Sequence, residues 1–296
     1  MTANSTPGLS CVAATGDRCG EGAVWHARER ALYWVDINRF LIHRMAAQDQ
    51  SVRTWHFAEP PTALALTERD DTLLAVFGSR ICLWRPAENR IVKEIFRLPG
   101  WPEVRFNDAR VDPRGSLWAG TMANNVGRDG ERLPITRHEG VLYRIDPDGS
   151  HSIWKEKIGI SNTVVWSPDK TVFYFADSLA NAIYRYRYNL ATGDIDGEEP
   201  FLTGHRGIPD GSAMDVEGNL WNCRPNAGCL LRISPDGQRV TEYPLPVSFP
   251  TTCVFGGDNL STLYITSGAS PERLAGCLFA LQTETSGLAD YRYRLL

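Results

Sequence analysis

The sequence predicts an all-β protein, a six-bladed β-propeller. Three observations predict it: a short apolar or aromatic run that recurs six times at a near-constant interval, turn-forming residues in phase with each run, and an almost complete lack of helical periodicity.

The runs are Leu32-Tyr33-Trp34-Val35, Leu73-Leu74-Ala75-Val76, Leu117-Trp118-Ala119, Val172-Phe173-Tyr174-Phe175, Leu220-Trp221 and Leu263-Tyr264-Ile265. Short runs rich in β-branched and aromatic residues, flanked by turn formers, read as strands. Their first residues stand at 32, 73, 117, 172, 220 and 263, so the intervals are 41, 44, 55, 48 and 43. Self-similarity at roughly 40 to 50 residues marks propeller blades, each a four-stranded sheet. Turns precede most runs, as at Asp70-Asp71, Asp112-Pro113-Arg114-Gly115, Ser167-Pro168-Asp169-Lys170, Asp215-Val216-Glu217-Gly218 and Gly257-Asp258-Asn259. Further strands follow several of them, at 140–145, 182–186 and 229–233. An open sandwich would also supply short strands, but not six units in phase. The 296 residues allow about 49 per blade, residues 124–138 read as a loop over one rim, and no linker divides the chain. Residues 1–296 therefore read as one propeller domain.

The bulk properties exclude several classes of function. A net charge of −4 without basic or acidic blocks gives no electrostatic reason to expect nucleic acid or an anionic membrane as partner. No stretch approaches the 18 apolar residues of a membrane span, and the start shows no signal-peptide pattern. The seven cysteines, at 11, 19, 82, 223, 229, 253 and 277, are odd in number and form no C-x-x-C pair. That scatter argues against a zinc cluster or disulfide scaffold and for reduced thiols in the cytoplasm.

The chemistry is carried by the phase of the polar residues. In a propeller the first strand of every blade lines the central channel, so residues at one phase form a ring. Counting back 10 or 11 places from each run gives Glu21, Thr62, Asn107, Asn162, Asp210 and Thr252. Each precedes a short apolar segment, the expected inner strand. Buried carboxylates repel and lose hydration unless a cation compensates them. A hard divalent cation resolves that conflict, with Glu21, Asn162 and Asp210 as oxygen ligands. No histidine shares the phase, which disfavours a His-rich zinc site. The fold class is thus a six-bladed propeller with a central metal-binding channel. Taken singly, Pro209-Asp210-Gly211, Glu21-Gly22 and Asn107-Asp108 are also ordinary turn sequences, and a purely structural ion plugging the channel is a further reading.

The same residues sit in a longer ordered set. Cys19-Gly20-Glu21-Gly22-Ala23-Val24-Trp25, Arg105-Phe106-Asn107-Asp108 with Val111-Asp112-Pro113, Gly120-Thr121-Met122, Ser161-Asn162 before Trp166-Ser167-Pro168-Asp169, and Pro209-Asp210-Gly211 occur in that order. The set resembles the senescence marker protein/regucalcin/gluconolactonase family over nearly the whole chain. The resemblance implies a divalent metal in the channel and hydrolysis of a sugar lactone. It implies Glu21, Asn162 and Asp210 as metal ligands, and Arg105 and Asn107 as substrate contacts. Some relatives carry a substrate-contacting Glu shortly after Gly-Thr-Met, where this chain has Asn125, so Asn125 is a third expected substrate contact and the sugar preference is expected to differ. The stretch from Leu220 to Pro225 also departs from the family pattern; an ordinary surface loop is the first reading there, with Arg224 or Asn226 reaching the rim as the alternative.

On this reading the cation polarises the lactone carbonyl and acidifies water, and Asp210 takes the proton. Asp108, facing the other way by strand alternation, is a second candidate base. His138 and His205 are off phase, and no nucleophile elbow is present, which disfavours a covalent serine mechanism. Calcium, zinc, manganese, magnesium and iron all suit such a ligand set. Two other functions fit the same scaffold: a metal-dependent esterase or organophosphate hydrolase, and a non-catalytic calcium-binding propeller.

Overall fold

Aspartate side chains set the turns that start the second strands. Asp112 accepts from Arg114 N at 2.8 Å, Ser116 N at 2.9 Å and Trp118 Nε1 at 3.0 Å. Asp215 repeats the device with Glu217 N, Asn219 N and Trp221 Nε1 at 3.0, 2.8 and 3.0 Å. One carboxylate thus closes the turn and anchors the tryptophan six residues on, coupling turn chemistry to core packing. Gly115 and Gly218 hold the positive φ these turns require, 90° and 83°.

The structure, a computed structural model, describes residues 6–135 and 137–296. Strand β1 (Leu9–Ala13) is set aside for the last blade. Blade one comprises β2 (Gly20–His26), β3 (Ala31–Asp36), β4 (Leu41–Ala46) and β5 (Val52–His56). Blade two has β6 (Pro61–Leu66), β7 (Leu73–Phe77), β8 (Arg80–Arg85) and β9 (Arg90–Arg97). Blade three has β10 (Val104–Val111), β11 (Leu117–Ala123), β12 (Gly140–Ile145) and β13 (His151–Ile158). Blade four has β14 (Ser161–Trp166), β15 (Val172–Asp177), β16 (Ala182–Tyr188) and β17 (Ile195–Thr203). Blade five has β18 (Ser212–Met214), β19 (Leu220–Arg224), β20 (Cys229–Ile233) and β21 (Val240–Pro244). Blade six has β22 (Pro250–Gly256), β23 (Thr262–Ser267) and β24 (Leu278–Gln282), with β1 as its outermost strand.

Each sheet is an antiparallel meander, and the inner strands neighbour one another in cyclic order, β22 returning to β2. All six runs read from the sequence are second strands, and the six apolar segments behind the polar ring lie on inner strands. Burial falls from the axis outward: every residue of β6 and β22 is buried, whereas β9 and β21 are mostly exposed. Six apolar clusters hold the blades together, each shared by two neighbours. Among the described residues the only helical element is a 3-10 turn at Ile37–Arg39, and no helix is long and apolar enough to cross a membrane.

Five of the six inner strands lose register near their starts. The bulges fall between Glu21 and Val24, Pro61 and Ala63, Phe106 and Ala109, Asn162 and Val165, and Pro250 and Cys253. In blade five the ladder begins at Ser212, just after Asp210-Gly211. A bulge re-aims the side chains around it, and here the re-aimed ones are the polar residues of the ring. At the opposite ends of the inner strands the C-terminal segment crosses the molecule. Leu288 N bonds Met214 O, Tyr293 N bonds Leu66 O and Arg294 N bonds Gly115 O, at 2.9, 2.8 and 3.1 Å.

Candidate functional site

Glu21, Arg105, Asn107, Asn125, Asn162 and Asp210 line one cavity at the bulged ends of the inner strands. Four blades and one loop supply them. Glu21 sits on β2, Arg105 and Asn107 on β10, Asn162 on β14, Asp210 just before β18, and Asn125 just after β11.

The local structure explains the convergence. Asp36, fully buried at the end of β3, accepts from Arg18 N, Cys19 N, Asn38 N and Arg39 N at 2.9 to 3.2 Å. Asp177, at the end of β15, accepts from Gly159 N, Ile160 N and Leu179 N at 2.9, 3.1 and 3.0 Å. Each carboxylate ties the chain entering an inner strand to the turn leaving its neighbour, and so places Glu21 and Asn162. Asp210 is placed from both sides. Its amide donates to Cys223 O at 3.0 Å, and its carbonyl accepts from Thr163 Oγ1 and Asn222 Nδ2 at 2.6 and 3.0 Å.

A hydrogen-bonded relay orients the amides. Arg105 Nη1 donates to Asn107 Oδ1 at 2.7 Å, and Asn107 Nδ2 donates to Asn162 Oδ1 at 3.1 Å and Ser161 O at 2.9 Å. Asn162 Nδ2 donates to Ser178 Oγ at 2.8 Å, and Ser178 Oγ to Pro209 O at 2.6 Å. With its nitrogen committed to Ser178, Asn162 presents its oxygen to the cavity. On the other side, Arg105 Nε and Nη2 both reach Asn125 Oδ1, at 3.0 and 2.7 Å.

The two carboxylates are poorly provided with donors. Among the described residues Glu21 accepts only the Gly22 amide, at 3.2 Å, and stands within hydrogen-bonding reach of Asp210. Burial, then the nearby Asp210 charge, pushes the Glu21 carboxyl well above its ordinary range. Burial, then the charge of Asp108, raises Asp210 to about 8. Burial also lowers the Arg105 guanidinium to about 10, and its contacts are amide and carbonyl oxygens rather than either carboxylate. Two buried acids without a contacting cation, beside an amide oxygen, form an all-oxygen donor set that suits a hard divalent ion. Among the described residues no group of three His, Cys, Asp or Glu side chains could hold a metal; here two carboxylates are joined by amides.

The structure corrects parts of the sequence reading. Thr62 and Thr252 do not line this cavity. Thr62 Oγ1 donates to Val76 O at 3.3 Å, and Thr252 lines a separate cavity with Asp108 and Asp290. Thr251, the residue before Thr252, instead donates its hydroxyl to Gly20 O at the start of β2. Arg224 does not reach the rim: it is 1% exposed and donates to the carbonyls of Arg206, His205 and Gly207 at 3.2, 2.9 and 3.1 Å, pinning the loop ahead of Asp210. Asn226 is an exposed turn residue with φ 66°. Neither His138 nor His205 lines the cavity. Residues 124–135 do fold over the mouth: Leu133 N bonds Asn125 O at 2.8 Å, and Asn38 Nδ2 ties the loop to blade one through Gly130 O at 2.9 Å. Ser178 and Asn222 escaped the sequence reading, because their roles depend on which blade each side chain faces.

Known proteins agree with this architecture. A 6-deoxy-6-sulfogluconolactonase of Pseudomonas putida is 35% identical over 95% of this chain and 97% of its own length. A pentonolactonase of Haloferax volcanii is 31% identical over 95% and 96%. The crystal structure of a calcium-binding protein, regucalcin, from Agrobacterium tumefaciens superposes with a TM-score of 0.88 at 27% identity, covering 98% of both chains. Residues 19–269 match the family described as the SMP-30/Gluconolactonase/LRE-like region. The chain belongs to that family.

Proposed function

We propose that the protein is a metal-dependent sugar lactonase that opens an aldonolactone to the sugar acid. The observation that carries this reading is the meeting of Glu21, Asp210 and Asn162 beside Arg105 and Asn107 in one buried cavity. The relatives named as lactonases support it, and the calcium-binding relative supports a divalent ion.

Glu21, Asp210 and Asn162 would hold the cation through oxygen. Bound there, a divalent cation supplies a Lewis acid that polarises the ester carbonyl and makes water more acidic. Calcium, zinc, manganese, magnesium and iron remain the candidates, with oxygen-only ligation favouring the harder ones. Asp210 accepts the proton of the water that attacks the carbonyl carbon, and the ring oxygen leaves as a hydroxyl once protonated. Arg105, Asn107 and Asn125 hold the sugar hydroxyls and the developing negative charge, already oriented by their mutual hydrogen bonds. Asp108 lines the other cavity, with Thr252 and Asp290, rather than this one, which leaves Asp210 as the base. All seven cysteines are free thiols, consistent with a cytoplasmic protein.

The test is a pH-indicator assay of metal-depleted protein with aldonolactones, aryl esters and phosphotriesters, restoring one metal at a time. Lactone turnover that returns with a divalent cation is the expected result. Turnover only of esters or phosphotriesters would move the assignment to a general esterase, and cation binding without any turnover to a calcium-binding propeller.

A further inference from the structure

The cavity mouth carries positive charge that a neutral lactone does not need. Three arginines line the cavity, Arg18, Arg105 and Arg132, against two carboxylates, Glu21 and Asp210. A divalent cation on those carboxylates would cancel both negative charges and leave the arginines uncompensated. Among the described residues Arg105 has only neutral hydrogen-bond partners, the Phe106 carbonyl and the amides of Asn107 and Asn125. Arg18 and Arg132 are exposed, and among the described residues neither guanidinium makes an ion pair or a side-chain hydrogen bond.

These two arginines come from segments far apart in the chain and line the cavity together with Phe249. The Arg132 guanidinium lies 5.5 Å from the Phe249 ring centroid. Gly268 packs closely against both the Phe249 ring and the Arg18 carbonyl: a β-carbon there would stand 2.9 Å from Phe249 Cδ1 and 3.1 Å from Arg18 O. Both residues are presented by pinned backbone. Arg18 N donates to the buried Asp36 at 2.9 Å, and the loop bearing Arg132 is closed by the Gly127 N to Glu131 O bond at 2.9 Å and tied to Asn38 through Gly130. Free guanidinium groups held by ordered backbone at a cavity mouth match the planar fork that binds carboxylate, sulfonate or phosphate.

Resting on the lactonase reading, we propose that the substrate is a sugar lactone bearing an anionic substituent remote from the reacting carbonyl, gripped at the mouth by Arg18 and Arg132. The neutral Asn125 belongs to the same design, because a carboxylate there would pair with Arg105 and lower the cavity's positive potential.

The test compares glucono-1,5-lactone with its 6-phosphate, its 6-deoxy-6-sulfo analogue and a glucarolactone, on the metal-loaded enzyme at low and high salt. The charged lactones should show kcat/KM at least tenfold above the neutral one, with the ratio falling as salt rises. The double variant Arg18→Gln/Arg132→Gln should lower that ratio at least tenfold, chiefly through KM. Calorimetry with the unreactive 1,5-anhydroglucitol and its 6-phosphate supplies a readout without turnover: the phosphate should bind more tightly to wild type, and the double variant should lose the difference. A ratio near one, or a ratio and a binding difference that the double variant leaves intact, overturns the proposal. Loss of all lactone turnover would instead remove the lactonase reading, and calorimetry would still decide whether the mouth recognises anions.

Discussion

At the residue scale, the centre of the molecule is a pair of buried acids whose pKa values are raised, first by burial and then by neighbouring carboxylates. Replacing either one should remove both cation binding and catalysis. Asp210→Asn and Glu21→Gln are expected to reduce kcat/KM by about 100-fold or more and to abolish the rise in Tm that divalent cations produce, read by scanning calorimetry. The sign of the pH dependence follows from the same pair. Asp210 rises to about 8 in the folded protein, above its unfolded value, so its contribution to stability is full at acid pH and is lost as pH climbs through that value. Metal-free protein should therefore lose Tm between acid pH and about 8, while cation affinity measured by calorimetry rises over the same span, because only the ionised carboxyls coordinate. An affinity constant across that span would contradict the assignment. Ser178→Ala should leave the fold intact and lower kcat by roughly tenfold, since it frees the Asn162 amide to turn its nitrogen toward the cavity.

At the element scale, the inner strands do their work through irregularity. Regular strands would alternate side chains between the two faces of each blade, but the bulges turn Glu21, Asn107 and Asn162 into one cavity. Close approach of neighbouring blades then becomes necessary. A β-carbon on Gly120 would overlap Ser161 Oγ, and one on Gly22 would stand 2.6 Å from Ala63 Cα. Gly120→Ala should destabilise the protein by about 1–3 kcal/mol through overpacking and shift Ser161, whose carbonyl anchors Asn107. Chemical denaturation with a parallel lactonase assay checks both effects. The strand positions were legible in the sequence because burial forces apolar runs and turns demand Asp, Gly and Pro. The aim of each residue within a bulge was not: Thr251 and Thr252 look alike to any fixed count, and only their surroundings distinguish them, Thr251 bonding Gly20 O and Thr252 lining the cavity of Asp108.

At the scale of the whole molecule, the ring closes because the chain's first strand completes its last sheet. Strand β1 pairs with β24 through Leu9, Ser10, Cys11 and Ala13, so blade six is built from both ends of the chain. Deleting residues 1–13 should leave β24 as an open edge and lower stability by about 3 kcal/mol, a large share of a typical total. Equilibrium unfolding in urea would show this as a lower midpoint. The C-terminal segment, bonded to blades two, three and five and carrying the buried Tyr293, covers the end of the channel opposite the site. On the proposed reading, substrate enters from the side of the Asn125–Arg132 loop.

The sequence by itself determined the blade count, the order of strands and the four polar residues, Glu21, Asn107, Asn162 and Asp210, that share the cavity. Periodic burial writes those features into the local pattern, blade by blade. Only the tertiary structure decided how the residues cooperate. The Arg105–Asn125 contact, the locking of Asn162 by Ser178, the burial of Arg224 and the placing of Arg18 and Arg132 on one cavity all join separate segments. Their spacing along the chain carries no trace of those contacts, because the closed ring, rather than any local propensity, brings the segments together.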